Sequence, residues 1–152
     1  HIAYQHQQNN TEFIAEKNLN FKAMIFEPML NFQTKQKLRI STAYKFKIGK
    51  ELLQSIKTNI HELKVEAIAQ PDSKWSIRST CSQIWADVQG QLSAWNEFNL
   101  LQGLRSGGNT LIGFQADRIL NNNTILRLGY NGRKSNGSKY IQSGNAQILA
   151  SF

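Results

Sequence analysis

Most of this chain alternates. From Lys37 to Gly49, Leu38, Ile40, Thr42, Tyr44, Phe46 and Ile48 take every second place, and Lys37, Arg39, Ser41, Ala43, Lys45 and Lys47 take the places between. Successive side chains of a strand point to opposite sides, so this segment is predicted to be a strand with one apolar and one cationic face. The period of two recurs along Asn59–Ala69, where His61, Leu63, Val65, Ala67 and Ala69 alternate with Ile60, Glu62, Lys64, Glu66 and Ile68. It recurs more weakly along Lys74–Asp87, with Trp75, Ile77 and Trp85 on one parity. Along Asn109–Leu120 it groups Ile112, Phe114, Ala116 and Leu120, with Arg118 interrupting, and along Thr124–Arg133 it groups Leu126, Leu128 and Tyr130. In the last segment, Tyr140–Phe152, Ala146, Ile148, Ala150 and Phe152 fall on one face and Asn145, Gln147 and Ser151 on the other, with Leu149 as an apolar intruder.

Two stretches depart from simple alternation. Asn18–Phe32 changes phase: Leu19, Phe21, Ala23 and Ile25 share one parity, and Phe26, Pro28, Leu30 and Phe32 share the other. A one-residue slip exchanges the two faces of a strand, so the pattern predicts a β-bulge near Ile25–Glu27, a place where Pro28 is tolerated. In Gln89–Leu104, Leu92, Trp95, Leu100 and Leu101 are spaced for one face of a short helix, with Gly103 as its stop. With His1–Gln7 as the tail of a further strand, the chain reads as a single all-β domain over residues 1–152. It is an antiparallel up-and-down meander of about eight long strands, forming a transmembrane β-barrel or the C-terminal part of a larger one.

The connections lead to the barrel. Gln33–Gln36, Gln70–Ser73 (with Pro71-Asp72) and Asn121–Asn123 are short turns; Lys50–Thr58, Val88–Gly108 and Lys134–Lys139 (with Asn136-Gly137) are longer. Short and long connections alternate, which puts tight turns at one end of the sheet and loops at the other, as in outer-membrane barrels. Strands of roughly 11–13 residues, tilted by about 40°, also cover the roughly 28–33 Å that such a barrel needs. On this reading Leu38, Ile40, Tyr44, Phe46, Ile48, Leu126, Leu128 and Tyr130 face lipid. Arg39, Lys45, Lys47, Glu62, Lys64 and Glu66 form a charge ladder in the lumen, with Lys45 and Lys47 brought near Glu62 and Glu66 by antiparallel pairing. Tyr44, Trp75, Trp85, Tyr130 and Tyr140 are expected near strand ends, as an interfacial belt. The alternative is a soluble lipocalin-like ligand-binding barrel, with the same alternation and the faces reversed.

Composition removes other classes. The chain is 40% hydrophobic, yet no apolar run approaches the roughly 18–20 residues of a membrane helix. The net charge is +8, but Lys and Arg are spread singly through strands and turns, so nucleic acid is not an expected partner. The single cysteine, Cys81, allows no internal disulfide, and His1, His6 and His61 have no ligand-spaced neighbours, so no metal site is expected. No phosphate loop, Gly-x-Ser-x-Gly or His-Glu-x-x-His is present; catalytic residues, cofactor-binding residues and enzyme activity are not expected. The chain opens on His1 without a basic-then-apolar leader and reads as a mature or trimmed product, or as a piece of something longer.

Three stretches carry a resemblance: Gly103-Leu104-Arg105-Ser106-Gly107-Gly108-Asn109, Leu128-Gly129-Tyr130-Asn131-Gly132-Arg133-Lys134, and Ser143-Gly144-Asn145-Ala146-Gln147 running on to Phe152. They resemble the C-terminal ends of large outer-membrane proteins of Bacteroidota, over about the last third of the chain. Ala150 and Ser151 stand where that family more often has aromatic or bulkier residues. The resemblance implies a location in the outer membrane of a Gram-negative bacterium and an assembly signal at Ala146, Ile148, Ala150 and Phe152 read by the barrel-assembly machinery. Outer-membrane lipid and other subunits of a surface or secretion complex are the further partners expected. The function implied is transport, secretion or anchoring of a surface complex.

Overall fold

The computed structural model describes residues 2–9, 19–34, 37–51, 56–90, 97, 101, 103–121 and 123–150. They form one antiparallel sheet of nine strands: β1 (Ile2–Asn9), β2 (Leu19–Phe26), β3 (Met29–Thr34), β4 (Leu38–Glu51), β5 (Lys57–Ala69), β6 (Trp75–Gln89), β7 (Gly107–Asn121), β8 (Thr124–Lys134) and β9 (Ile141–Ala150). Neighbours in sequence are neighbours in the sheet, except that β2 and β3 both pair with β4. The topology is therefore the expected up-and-down meander, with β1 and β3 along one edge of the described sheet and β9 along the other. Among the described residues no helix is long and apolar enough to cross a membrane, which says nothing of strands.

β2 and β3 correct one expectation. Phe26 pairs with Phe46 and Met29 with Ala43, so the register passes Glu27 and Pro28 without a slip, and no bulge forms. Pro28 has no N–H to donate, but its carbonyl accepts the Tyr44 N–H at 3.1 Å. Half of one hydrogen-bonded pair is missing, which interrupts the ladder and leaves the register intact. Ala23 and Ile25 consequently stand opposite Gly49 and Lys47, on the face that Met24, Phe26, Leu30 and Phe32 do not share.

The two faces can be followed across the sheet by register. Leu38, Ala69, Ile77, Ala116, Leu128 and Ala146 form one continuous cross-strand row. Arg39, Ile68, Arg78, Gln115, Gly129 and Asn145 form the adjacent row on the other side. The first side is an open face: Leu30 is 78% exposed, Phe32 61% and Ile148 70%. The second, the shielded face, is covered over its middle, where Ala23, Ala43, Lys47, Ser82, Ile84 and Asn109 are buried, and exposed at its margins, where Met29 and Ile141 lie. Cavities of about 520 and 240 Å³ lie against it.

The ends of the sheet differ as the alternation of connections requires. Residues 10–18, 52–56, 90–106 and 135–140 connect strands at one end, and residues 35–37, 70–74 and 122–123 at the other. The expected Lys50–Thr58 loop contracts to residues 52–56, because β4 runs on to Glu51 and β5 begins at Lys57. It is then no longer than the 70–74 turn, so the asymmetry rests on the other connections. Local chemistry fixes the tight turns. Asp72 Oδ1 accepts the Lys74 and Trp75 N–H groups at 2.8 and 2.9 Å, and Asn121 Oδ1 accepts the Asn123 N–H at 3.0 Å. Of the helix expected over Gln89–Leu104, one bond at helical spacing is described, from Leu101 N–H to Glu97 C=O at 2.9 Å; Gln89 itself belongs to β6. Residues 91–96 and 98–100 lie outside the described residues.

Candidate functional site

The charge ladder stands on the shielded face with its members in order. Lys45 is directly opposite Glu62, and Lys47 is opposite Ile60 and diagonal to Glu62. Glu66 does not join the two lysines: it lies opposite Ser41, and its carboxylate meets Arg39 at 3.9 Å along the other diagonal. The strand rise sets this, since Glu62 and Glu66 are separated by about 13 Å. Lys64 stands opposite Ala43 and lines the 520 Å³ cavity with Glu27, Asn31, Arg39 and Glu66. Lys47 is only 7% exposed, and with Lys45, Glu62 and Arg133 it borders the 240 Å³ cavity, which Leu101 and Leu104 also line. The loop before β7 thus reaches onto the shielded face.

The best-formed ion pair was missed by the sequence reading. Arg127 Nε and Nη2 donate to Asp117 Oδ1 and Oδ2 at 3.0 and 2.9 Å, a two-point contact between directly opposed residues of β7 and β8. Counting outward from the innermost pair, Asn121 with Thr124, would set 117 against 128; a register shift between Ile119 and Asn121 brings it to 127 instead, and nothing in the sequence announces that shift.

All eight residues expected to face lipid lie on the open face. Leu38, Tyr44, Ile48 and Leu128 are exposed there, and Ile40, Phe46, Leu126 and Tyr130 are half-buried. Arg118, the interruption in β7, places its guanidinium 5.2 Å from the centre of the Trp75 ring, its cross-strand partner. The aromatic belt needs correction. Trp75 and Trp85 stand towards opposite ends of β6, and Tyr140 lies between β8 and β9, but Tyr44 and Tyr130 sit in the middle of β4 and β8. Their hydroxyls find partners on neighbouring chain instead of at a rim. Tyr44 Oη bonds His61 Nδ1 at 2.6 Å, and Tyr130 Oη bonds Gln142 Oε1 at 3.2 Å and Tyr140 Oη at 3.1 Å. The Tyr130 hydroxyl holds the Tyr140 phenol above its ordinary pKa.

Of the assembly signal, Ala146, Ile148 and Ala150 lie on the open face, opposite Leu128, Leu126 and Thr124; Phe152 is outside the described residues. The motifs that carried the family resemblance have local structural roles. Asn109 is fully buried, and its amide nitrogen donates to Arg105 and Gly107 carbonyls at 2.7 and 3.0 Å while its oxygen accepts the Arg105 N–H at 3.3 Å. Arg133 donates to the Gly103 carbonyl, and Asn136 Nδ2 to the Ser106 carbonyl at 3.1 Å. The Gly103–Asn109 segment is thereby clasped to the β8–β9 connection, whose turn is closed by Ser138 N–H to Ser135 C=O at 3.0 Å with Gly137 at φ 66°. Among the described residues no three His, Cys, Asp or Glu side chains gather as a metal site.

No protein-family model matches this chain, and no curated protein or solved structure matches it either.

Proposed function

We propose that the chain is an outer-membrane β-barrel of a Gram-negative bacterium, or the C-terminal part of a larger one, serving transport, secretion or the anchoring of a surface complex. The observation that carries this reading is the polarity of the two faces. A half-buried sheet in water turns its apolar side to the core and its polar side to solvent. Here most of the exposed large apolar side chains, from Met24 and Leu30 in β2 and β3 to Ile148 in β9, stand on the open face, with Met29, Ile119, Ile141 and Leu149 as exceptions near the sheet's margins, while the cationic ladder occupies the other side. A membrane barrel needs that inversion: lipid outside, a polar lumen inside.

Strand length supports it as well. β4, β5, β6 and β7 have 14, 13, 15 and 15 residues, well beyond the roughly five or six of ordinary soluble strands. The likeness of the tail to Bacteroidota outer-membrane proteins supports the partners: outer-membrane lipid, the barrel-assembly machinery and other subunits of a surface or secretion complex. The soluble lipocalin-like carrier is the second reading; it draws on the shared meander topology and requires an apolar interior. The purified chain separates the two. The membrane barrel stays dispersed only with detergent or lipid, and a monomer in plain buffer would end that reading.

A further inference from the structure

The open face carries a polar groove at the loop end that a purely lipid-facing surface does not need. Its volume is about 610 Å³, and Asn59, His61, Trp85, Asp87, Gly108 and Asn136 are among its walls. The register explains how it is made. His61, Trp85 and Gly108 are successive neighbours across β5, β6 and β7, and Asn59 stands directly opposite Asp87 in the next open-face row towards the loops. Gly108 gives the indole no side-chain neighbour on the β7 side; a Cβ placed there would meet only Gln83 Nε2, at 3.9 Å. Trp85 is accordingly 48% exposed.

The polar groups lie within reach of that ring. Asp87 is two residues further along the same strand, about 7 Å away. Asn59 and Asp87, as opposed residues, have Cβ atoms about 5 Å apart. Asn136 is held at the lip by its bond to the Ser106 carbonyl at 3.1 Å. His61 is fixed on the other flank by the Tyr44 hydroxyl and by stacking on Phe46, with ring centres 4.6 Å apart.

A flat aromatic floor beside a carboxylate and amides is the chemistry that recognises a sugar ring. A hexopyranose has a C–H face that stacks on indole and hydroxyls that both donate and accept. A carboxylate meets a donor, and an amide meets either. Asp87 Oδ2 already accepts a long hydrogen bond from Gln89 Nε2 at 3.4 Å, and an apolar ligand would give neither its Oδ1 nor the Asn59 amide a partner. A quaternary ammonium would use Trp85 and Asp87 and give the amides nothing to do.

We propose that this groove binds a hexopyranose unit of a glycan, stacked on Trp85 and hydrogen-bonded by Asp87 and Asn59. The glycan is either a free oligosaccharide or the headgroup of a glycolipid lying against the rim. The test uses the full chain in a polyoxyethylene detergent, since a sugar-headed or quaternary-ammonium detergent would compete. Tryptophan emission and calorimetry are followed while maltohexaose, lipid-free core oligosaccharide or whole lipopolysaccharide is added. A saturable change is expected with at least one of the two lipid-free probes. Trp85→Phe and Asp87→Asn each weaken binding by about tenfold. Gly108→Val, which puts a branched side chain into the groove beside Trp85, abolishes it. Trp75→Phe, at the far end of the same strand, changes nothing.

Binding of maltohexaose assigns the groove to glycans generally. Binding of core oligosaccharide and lipopolysaccharide without maltohexaose assigns it to a glycolipid headgroup. Three results would overturn the proposal: no saturable binding of either lipid-free probe, full binding by Gly108→Val, or displacement of the bound glycan by tetramethylammonium. If Gly108→Val does not fold, the two exposed-residue variants decide the matter. The measurement reads binding directly, so it can fail while the membrane reading stands, and the reverse.

Discussion

Phe46 and Lys45 are neighbours in β4 that point to opposite sides, and the proposed function makes opposite demands on them. Phe46→Lys would put an ammonium into the hydrocarbon and remove the ring stacked on His61. It is expected to cost about 2–4 kcal/mol at mid-membrane depth, less near a rim. Lys45→Ala removes one of two lysines grouped about Glu62 and should cost little. Urea titration of the protein folded into lipid vesicles measures both, and a reversed order would exchange the faces. A second comparison lies on the shielded side. Asp117→Asn should lower the urea midpoint more than Glu66→Gln, because the first breaks a two-point contact at 2.9 and 3.0 Å and the second a single contact at 3.9 Å. At this scale the sequence was legible wherever parity alone decides, as for Leu38 through Ile48. Parity does not say which charge meets which, because that depends on register: Glu66 went to Arg39, and Arg127 found Asp117.

At the scale of elements, the connection leading into β7 is the part whose structure most exceeds its pattern. Gly103-Leu104 and Gly107-Gly108-Asn109 look like a flexible loop in sequence, yet one buried amide organises the described part of it. Asn109→Ala leaves two carbonyls and one N–H without their partner and should cost about 1–3 kcal/mol. Limited proteolysis would then cut near Arg105, and an unchanged digestion pattern would contradict the assigned role. Gly107→Ala tests the same clasp through the backbone. Its φ is 100°, and an added Cβ would press on the Asn136 side chain, so the variant should lose stability whatever the rotamer. The turns were readable from Pro71-Asp72, Asn121 and Asn136-Gly137, since their side chains act within a few residues. The β2–β3 segment misled because a change of apolar phase can come either from a bulge or from a strand with apolar residues on both sides. Only the pairing with β4 distinguishes them, and it has no extra residue. The groove at Trp85 was invisible for a related reason: its open side depends on Gly108, 23 positions away, being the cross-strand partner.

The whole molecule raises the question of its edges. β9 pairs with β8 through ten residue pairs, and every residue from Ile141 to Ala150 is exposed. In an antiparallel pair alternate residues exchange hydrogen bonds with the neighbour, so every second N–H and C=O of β9 points away from β8. In water such an edge invites association, and in hydrocarbon each unpaired group costs several kcal/mol. If the proposed membrane state is right, β9 must gain a second neighbouring strand there. Proline substitution can detect it. Asn145 and Ala146 are adjacent, so one sends its N–H to β8 and the other sends it away. On a free edge, proline is tolerated at the outward position only. With strands on both sides, Asn145→Pro and Ala146→Pro should each prevent folding into vesicles, read as loss of the compact, heat-modifiable band on a gel. If one of the two folds normally, β9 is a true edge in the membrane, and a closed barrel is not the state the chain adopts.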